Sequence, residues 1–361
     1  MSKKNNGKWL QFSHIALIVL DVFLVLVLII TIFATAYVNK FLNLINYETT
    51  PESSSQDSIH LDSWPTDPDW TTIPTTVETV PPDFTGPVVD PTDVSVPDDT
   101  PSTIIRHKNL VNILLIGQDR RPGEPRQRSD TMILVTINTK DYTITLTSFM
   151  RDLYVAIPGY SPNKLNAPYA KKNGGMSLLC ETLLMNFGVY VDGCVEVDFT
   201  GFEDIINMLG GVEITLTEKE AEYFRDKLAY TNMTAGTHIL TGTQALHYSR
   251  IRKIDSDFQR TERQRKVLTQ VIEKCMDKSL PELLSLMETI LPMITTDLTS
   301  KQITNYALNL FPVLAKATIK TQRIPAYGDY TSQYINDVGS CLVPDLNECR
   351  QLLIDTLLPS D

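Results

Sequence analysis

The chain has 361 residues, of which 42% are hydrophobic, enough for one large domain or two small ones. Its formal net charge of −11 comes from one segment, because residues 48–105 contain nine Asp and three Glu but no Lys or Arg. The remainder of the chain is therefore nearly neutral, which argues against a nucleic-acid-binding surface.

An apolar run of about 24 residues from Ile15 to Val38 is long enough to cross a bilayer roughly 30 Å thick. Lys3, Lys4 and Lys8 precede the run, and an acidic segment follows it. The positive-inside rule then predicts that residues 1–14 are cytoplasmic and that the rest of the chain lies outside the cell membrane. A cleavable signal peptide is the alternative, but its apolar core is usually about 7 to 15 residues long. We therefore expect a single-pass anchor over residues 15–38.

The acidic segment is also rich in Pro, Thr and Ser. Ten of the chain's prolines lie between residues 48 and 106, and no apolar periodicity is present. Such a composition buries too little apolar area to fold, while proline and like charges keep a chain extended. We expect a disordered extracellular stalk over residues 39–106.

Alternating strand and helix patterns follow from residue 107 onward. The strand patterns cover residues 112–117, 131–137, 142–148, 212–216 and 317–325. The helical patterns cover residues 176–187, 199–209, 218–225, 241–248, a long helix from about residue 260, and further helices within 280–314. With no second linker, the sequence predicts one α/β domain over residues 107–361, with a mixed central sheet flanked by helices.

Charged side chains stand at the ends of the first three predicted strands. If the second and third strands form a hairpin and the first runs parallel to the third, one sheet edge collects Asp119, Arg128, Asp130, Arg151 and Asp152. Ligand sites in open α/β sheets favour strand ends. Two carboxylates without a neighbouring His suit a hard cation such as Mg²⁺, and the arginines suit phosphate. Ion pairing within one loop is the alternative.

A second cationic segment spans residues 249–265. At helical spacing, Arg260, Arg263 and Gln264 extend the apolar stripe that begins at Val267. An unpaired buried charge is costly, so arginines on a buried face indicate a bound polyanion such as a phosphate. A solvated helix start with local ion pairs to nearby acidic residues is the alternative, and this segment alone does not decide between them.

Five cysteines lie on the predicted outer side, where disulfides persist. Pairs Cys180–Cys194 and Cys341–Cys349 would close short loops, although sequence does not determine connectivity. Cys275 falls on an apolar helix stripe and is expected to be a buried thiol.

Several short motifs in these regions occur together, in a fixed order. They are NILLIGQDRR at 112–121, RSDTM at 128–132, SFMRD at 148–152, KLNA at 164–167, GGV at 210–212 and the segment from Arg250 to Gln264. At these residues the chain resembles the LytR-CpsA-Psr family of wall-polymer phosphotransferases. The predicted anchor and stalk also fit the layout of that family.

The resemblance implies a function in cell wall biogenesis. Such enzymes move a glycopolymer, such as teichoic acid or capsular polysaccharide, from an undecaprenyl-pyrophosphate carrier to a peptidoglycan hydroxyl, and form a phosphodiester. Asp119 and Asp130 match the Mg²⁺-binding aspartates of the family. The positions matching its pyrophosphate contacts are Arg151, Arg250, Arg252 and Gln264, with Arg128, Arg260 and Arg263 as helpers. Arg252 and Asp257 are the candidate catalytic residues, and Gln259 stands where family members usually carry Gly.

The residues leave alternatives open. Asp257 either takes the proton of the acceptor hydroxyl or only orients Arg252 or Arg260. The same cluster would also serve a polyprenyl-pyrophosphate hydrolase, with water as the acceptor. A non-catalytic sensor that binds the lipid-linked polymer and regulates the cell envelope is the third hypothesis.

Overall fold

The computed structural model describes residues 40, 42–48, 84–97, 101–118 and 126–360. Residues 46–361 form one compact unit, and residues 1–45 belong to a separate one. No helix within the described ranges is long and apolar enough to cross a membrane. The anchor predicted at 15–38, the middle of the predicted stalk at 49–83, and Asp119 all lie outside the described residues.

Strands and helices alternate through the second unit. In chain order the strands are β1 (Asn46–Tyr47), β2 (Val88–Val89), β3 (Leu110–Gln118), β4 (Thr131–Asn138), β5 (Thr143–Phe149), β6 (Tyr154–Ile157), β7 (Tyr160–Lys164), β8 (Gly193–Asp198), β9 (Val212–Leu216), β10 (Gly236–Leu240), β11 (Ile294–Thr296), β12 (Thr318–Ile324), β13 (Tyr330–Ile335) and β14 (Gly339–Pro344). The α-helices are α1 (Ala167–Ala170), α2 (Met176–Phe187), α3 (Phe199–Met208), α4 (Glu218–Leu228), α5 (Gly242–Ser249), α6 (Asp257–Met276), α7 (Leu280–Ile290), α8 (Ser300–Leu314) and α9 (Leu346–Leu357).

Among the described residues, seven strands form a central sheet in the order β1-β11-β8-β3-β4-β5-β12. Strand β4 pairs antiparallel with both β3 and β5. Strand β8 runs parallel to β3, and β12 runs parallel to β5. The predicted mixed sheet is therefore confirmed, and β3 and β5 point in the same direction, as the argument about strand ends requires.

Two apolar layers cover the sheet, because side chains on a strand alternate between its faces. On β4, Met132 and Leu134 join a core that includes α2 and α9. The alternate residues Ile133 and Val135 face a second core, to which α6 and α8 contribute side chains. Helix α6 therefore has one surface against the sheet.

Local signals explain several helix ends. Thr217 begins α4 in a reciprocal capping box with Glu220, which satisfies two backbone donors at the helix start. Helix α2 ends where Gly188 adopts a left-handed conformation at φ 70°, a common way to terminate a helix. Strands β9 and β10, which precede and follow α4 in the chain, pair antiparallel and pack with α4, α5 and Val267 of α6 in a third core.

The predicted stalk needs correction at both ends. Strand β1 adds to the sheet edge beside β11, and Glu48 N donates to Thr296 O at 2.9 Å. Strand β2 pairs with β13, and Val94 and Val96 pack against the same small core as β2. These short apolar segments were hidden by the Pro and Asp residues around them, so the folded unit begins earlier than residue 107.

None of the five cysteines, all of which the structure describes, forms a disulfide. The sulfur atoms of Cys180 and Cys194 nevertheless lie 3.2 Å apart, one on α2 and one on β8. Cys341 and Cys349 belong to different apolar cores, so the structure contradicts their predicted pairing.

Candidate active site

The ends of β3, β4 and β5 meet at one edge of the sheet. Asp130 precedes β4, and its backbone N–H donates to Gly117 O in β3 at 3.0 Å. Arg151 follows β5 and donates from Nη1 to Asp130 Oδ1 at 2.8 Å. Antiparallel pairing of β4 between two codirectional strands thus brings together two residues that are 21 positions apart.

The segment before α6 and the first turn of this helix add three more charged residues to this edge. Arg252 lies 3.9 Å from both Asp130 and Asp257, measured between its nitrogens and their Oδ1 atoms. Arg260 contacts both oxygens of Asp257, with Nε at 2.8 Å from Oδ1 and Nη2 at 2.9 Å from Oδ2. Asp257 lies in the first helical turn, where the helix dipole favours a carboxylate. Asp130, Arg151, Arg252, Asp257 and Arg260 are called the edge cluster below.

A neighbouring ion pair extends the edge cluster. Asp152 lies 3.5 Å from Arg151 Nε and 3.4 Å from Lys164 Nζ, which stands at the end of β7. Lys164 belongs to a motif that carries the family resemblance, but no physical argument from the sequence alone assigns it a role. The β6–β7 hairpin is what places this lysine beside Asp152.

The electrostatics of the edge cluster favour an added anion. Burial acts to lower the pKa of Arg151, but the carboxylates of Asp152, Asp257 and Asp130 outweigh it and raise that pKa. For Arg260, burial and then the nearby Arg151 and Arg252 lower the pKa despite the opposing effect of Asp257. Three guanidinium groups are therefore close enough to repel one another, and a bound oxyanion would relieve that repulsion.

Three other predicted residues flank the edge cluster. The Arg250 guanidinium lies over the Phe199 ring, 4.5 Å from its centroid. Gln264 of α6 donates to Ser249 O at 3.5 Å, at the end of α5, three residues before Arg252. Arg128 is exposed and stands two positions before Asp130.

The remaining predicted contact, Arg263, points elsewhere. Its Nε donates to Glu220 Oε1 at 2.7 Å, and its Nη1 and Nη2 bind the Asp255 carboxylate. Arg263 and Glu220 are 3% and 5% exposed. Arg263, Glu220 and Asp255 are called the inner network below, and this network takes up the guanidinium that the sequence predicted as a pyrophosphate helper.

A buried network that the sequence did not predict holds both ends of the segment 119–125. Gln118 donates to Glu196, accepts from Gln127 N at 3.0 Å, and thereby joins the two ends. Tyr169 also donates to Glu196, and burial followed by that carboxylate raises the Tyr169 pKa, so the phenol keeps its proton. The only signal in the sequence is a single Glu inside the apolar strand β8.

Arg126 continues this network toward the N-terminal strand. Its guanidinium lies 5.3 Å from the centroid of the Tyr169 ring and pairs with Glu48 at 2.5 Å. Gly175, at φ 90°, leaves the space for that pair, because a Cβ there would approach Arg126 Nη1 to 2.2 Å. A residue from the predicted stalk thus supports the folded unit beside the segment that begins with Asp119.

Comparison with known proteins agrees with this geometry. The LytR_cpsA_psr family matches residues 89–345, which is most of the chain. The chain belongs to the LytR-CpsA-Psr family.

Individual relatives match over shorter stretches. The chain is 36% identical over 214 residues to the polyisoprenyl-teichoic acid--peptidoglycan teichoic acid transferase TagT of Bacillus subtilis, covering 57% of this chain and 65% of the relative. It thus spans less than two thirds of the length of that relative. It is 29% identical over 257 residues to the regulatory protein MsrR of Staphylococcus aureus, covering 70% of this chain and 76% of MsrR. A solved structure of TagT bound to LIIa-WTA superposes with a TM-score of 0.58 at 29% identity, covering 73% of this chain and 99% of that chain.

The chemistry of Asp130 fits the Mg²⁺ that the LytR-CpsA-Psr family implies. Its Oδ1 accepts from Arg151, whereas Oδ2 has no contact within the described ranges, and the side chain is 35% exposed. Mg²⁺ needs only one or two protein carboxylates and takes its other ligands from water and phosphate. No group of three or more metal-binding side chains occurs among the described residues, so a further carboxylate for such an ion would have to come from outside them.

Proposed function

We propose that this protein transfers a glycopolymer from a polyprenyl-pyrophosphate carrier to a peptidoglycan hydroxyl and forms a phosphodiester. The observation that carries the proposal is the edge cluster, in which Arg151, Arg252 and Arg260 surround Asp130 and Asp257 within 3.9 Å contacts. Relatives in the same family are named as transferases of teichoic acid to peptidoglycan.

In the proposed reaction the acceptor hydroxyl attacks the phosphorus next to the sugar. The new P–O bond forms as the bond to the lipid-phosphate oxygen breaks, and lipid phosphate leaves with the electron pair. Phosphoryl transfer depends mainly on positioning and on neutralising charge. Arg151, Arg252 and Arg260 would bind the pyrophosphate oxygens, with Arg128, Arg250 and Gln264 at the rim. Fixed guanidinium groups stabilise the charge that develops on those oxygens.

The role we assign to Asp257 is positioning. Both of its carboxylate oxygens face the Arg260 guanidinium at hydrogen-bond distance. A carboxylate that accepts a hydrogen bond from one guanidinium nitrogen and is ion-paired to another is a weak proton acceptor, because a proton on it would weaken both interactions. We propose that Asp257 orients Arg260 and that the acceptor proton passes to solvent water as the hydroxyl attacks.

We further propose that Asp119 and Asp130 hold Mg²⁺ in this enzyme. When bound, Mg²⁺ would polarise the phosphate and stabilise the leaving lipid phosphate. The open Oδ2 of Asp130 supports this assignment. Arg151 would keep the Asp130 carboxylate in a fixed orientation through its 2.8 Å hydrogen bond.

The polyprenyl chain needs an apolar surface near the edge cluster. Helix α6 begins at the edge cluster and then contributes Leu268 and Ile272 to the apolar layer over the sheet. Leu310 and Val313 of α8 lie in the same layer. We propose that the lipid enters between α6, α8 and the sheet, because one helix connects this layer to the pyrophosphate-binding arginines.

The membrane arrangement remains part of the proposal. We propose that residues 15–38 anchor the chain, with residues 1–14 in the cytoplasm and the folded unit outside. This arrangement would place the edge cluster on the side of the membrane where lipid-linked polymer and peptidoglycan meet. The acidic residues 49–83 would then form a stalk-like loop that leaves the folded unit after β1 and returns to it before β2.

The test uses the full chain in detergent micelles with Mg²⁺, a synthetic lipid-pyrophosphate-linked saccharide and peptidoglycan oligomers. We expect saccharide attached to peptidoglycan, lost on chelation and in Arg151→Ala. The matched control is Arg225→Ala, which removes a half-buried arginine of α4 that binds Glu218 and Met233 O and has no contact with the edge cluster among the described residues.

Two other outcomes would replace the proposal. Free saccharide phosphate without an adduct would identify a hydrolase. Bound but unchanged donor would identify a sensor, the function that the name of the regulatory relative MsrR favours.

A further inference from the structure

An aromatic group lies at the same sheet edge as the edge cluster. Strand β12 ends beside β5, since Ile324 pairs with Phe149 and Met150 N donates to Ile324 O at 2.9 Å. The turn after β12 carries Tyr327, which therefore lies at the same edge of the sheet as Arg151, the residue that follows β5. Phe258 reaches the same place from α6, where it directly follows Asp257.

Close contacts hold these rings together. The Arg323 guanidinium lies 3.8 Å from the centroid of the Tyr327 ring and 4.2 Å from that of Phe258. The Phe258 centroid lies 6.1 Å from that of Tyr327 and 5.3 Å from that of Tyr330. Phe258, Arg323, Tyr327 and Tyr330 are called the aromatic rim below. Cation–π contacts of this kind restrict the rings they join.

Tyr327 is nevertheless 74% exposed, the highest value among the large exposed hydrophobic residues of the described ranges. One face of its ring is covered by Arg323, so the exposure belongs largely to the other face and the ring edge. A single exposed apolar residue needs no explanation by itself. Here, however, the ring is held by a guanidinium and stands beside the arginines of the candidate active site.

The chemistry of such a ring indicates its ligand. The face of an aromatic ring is electron-rich and attracts partly positive C–H groups, and the phenol oxygen adds a polar contact at the edge. A pyranose ring presents C–H groups on its face and hydroxyls around its rim. A rigid tyrosine with one open face therefore matches a sugar better than a lipid chain, which has no groups for the phenol to bind.

We propose that Tyr327, supported by Arg323 and Phe258, is a stacking subsite for a sugar ring of one of the two polymers that meet at the edge cluster. The inference rests on the proposed transfer between saccharide polymers. The sugar belongs either to the peptidoglycan acceptor or to the saccharide of the lipid-linked donor, and binding measurements distinguish these two sources.

The experiment measures equilibrium binding to the full chain in detergent micelles. Three probes are used: a soluble peptidoglycan glycan strand, a lipid pyrophosphate carrying a disaccharide, and the same lipid pyrophosphate without sugar. Tyr327→Ala should weaken binding of one sugar-bearing probe about tenfold, the loss expected for one aromatic contact. Tyr327→Phe keeps the ring and should stay within about twofold of the unchanged protein.

The control is Tyr142→Ala. Tyr142 is also exposed, at 43%, and also lies near a cation, Lys316, at 5.9 Å, but it stands in the β4–β5 turn at the opposite end of β5. Weaker binding of the glycan strand assigns the subsite to the acceptor, and weaker binding of the sugar-bearing lipid alone assigns it to the donor. Unchanged binding of both sugar probes, or an equal loss in Tyr142→Ala, overturns the inference.

Because these measurements need no turnover, they separate this inference from the proposed function. Binding that depends on Tyr327 in a protein without transfer would refute the transferase and leave the sugar subsite in place. Transfer by a protein whose sugar binding does not depend on Tyr327 would support the transferase and refute the sugar subsite.

Discussion

Two arginines one turn apart on α6 serve different purposes. Arg260 and Arg263 are almost equally buried, at 2% and 3% exposure, and each binds a carboxylate through more than one nitrogen. Asp257, the partner of Arg260, is 25% exposed and shares its site with Arg151 and Arg252. Glu220, the partner of Arg263, is 5% exposed. Asp255, the second partner of Arg263, is as open as Asp257, with 26% of its side chain exposed. What separates the two arginines is that the partner of Arg260 is shared with Arg151 and Arg252, whereas Arg263 also binds an enclosed carboxylate, that of Glu220.

The largest expected effect is a loss of transfer activity when Arg260 is replaced. Arg260→Met should lower polymer transfer by about 10³-fold, because one of the guanidinium groups facing the transferred phosphate is lost. Its unfolding temperature should change little, since Asp257 can be solvated once Arg260 is gone. Transfer rate and thermal unfolding of the same preparations test this prediction. A large loss of stability with normal transfer per folded molecule would contradict this prediction and give Arg260 a structural role instead.

Arg263→Met should have the opposite effect. It leaves Glu220 buried without its cation, which typically costs about 3–5 kcal/mol of unfolding free energy. Urea unfolding measures this cost, and transfer per folded molecule should stay near normal.

The control is the double variant Arg263→Met with Glu220→Leu, in which no buried charge is left. It should recover most of the lost stability, because replacing a whole buried pair costs far less than breaking it. If Arg263→Met alone were as stable as the unchanged protein, the inner network would have no structural role.

Asp257→Asn tests how the edge cluster uses its carboxylate. If Asp257 positions Arg260, the amide keeps one hydrogen bond and transfer should fall by about tenfold, with the pH profile of the rate unchanged in shape. A general base would behave differently, with a loss of about 10²–10⁴-fold and the disappearance of the acidic limb of the profile. The second result would assign the proton transfer to Asp257.

The sequence predicts features that depend on residues close together in the chain, and it misses features that depend on residues far apart. Strands β3 to β5 and helix α2 have strong local patterns and were predicted within about two residues. The convergence of Asp130 and Arg151 also followed from strand direction alone. The different contacts of Arg260 and Arg263 did not, because Glu220 is 43 positions from Arg263 and its proximity depends on how α4 and the paired strands β9 and β10 pack on α6.

Short polar strands were missed for a related reason. Strand β13 carries Thr, Ser and Gln in succession, and β1 has two residues, so neither shows an apolar alternation. Pairing with β14 and β11 forms these strands, and such pairing is invisible in a local window. The same limit hid Arg323 and Tyr327, whose contacts with Phe258 join segments more than 60 positions apart.

The inner network should also make stability depend on acid. Burial acts to raise the pKa of Glu220, but hydrogen bonds from Thr217 and Arg263 outweigh it and lower that pKa below its ordinary value. A carboxylate with a lowered folded pKa stabilises the fold above its unfolded pKa, and this contribution is lost as pH falls through the folded value. Unfolding temperature should therefore fall less steeply below about pH 4.5 in Glu220→Gln than in the unchanged protein. Parallel curves would contradict this assignment.

A third arginine of α6 gives the mildest test, because it is buried with neither kind of partner. Arg265 is 7% exposed, and within the described part of the chain its Nε and Nη1 atoms have no hydrogen-bond partner. Burial, together with the nearby Arg323 and against the pull of Glu262, lowers its pKa to about 10. Since the folded pKa lies below the unfolded one, the charged form destabilises the fold at every pH below about 10. Arg265→Met should therefore raise the unfolding free energy by about 1–2 kcal/mol, while Lys266→Met, at an exposed neighbour, should stay within about 0.5 kcal/mol. A loss of stability in Arg265→Met would show that this guanidinium has a partner that compensates its charge. Arg265 would then be a structural arginine like Arg263.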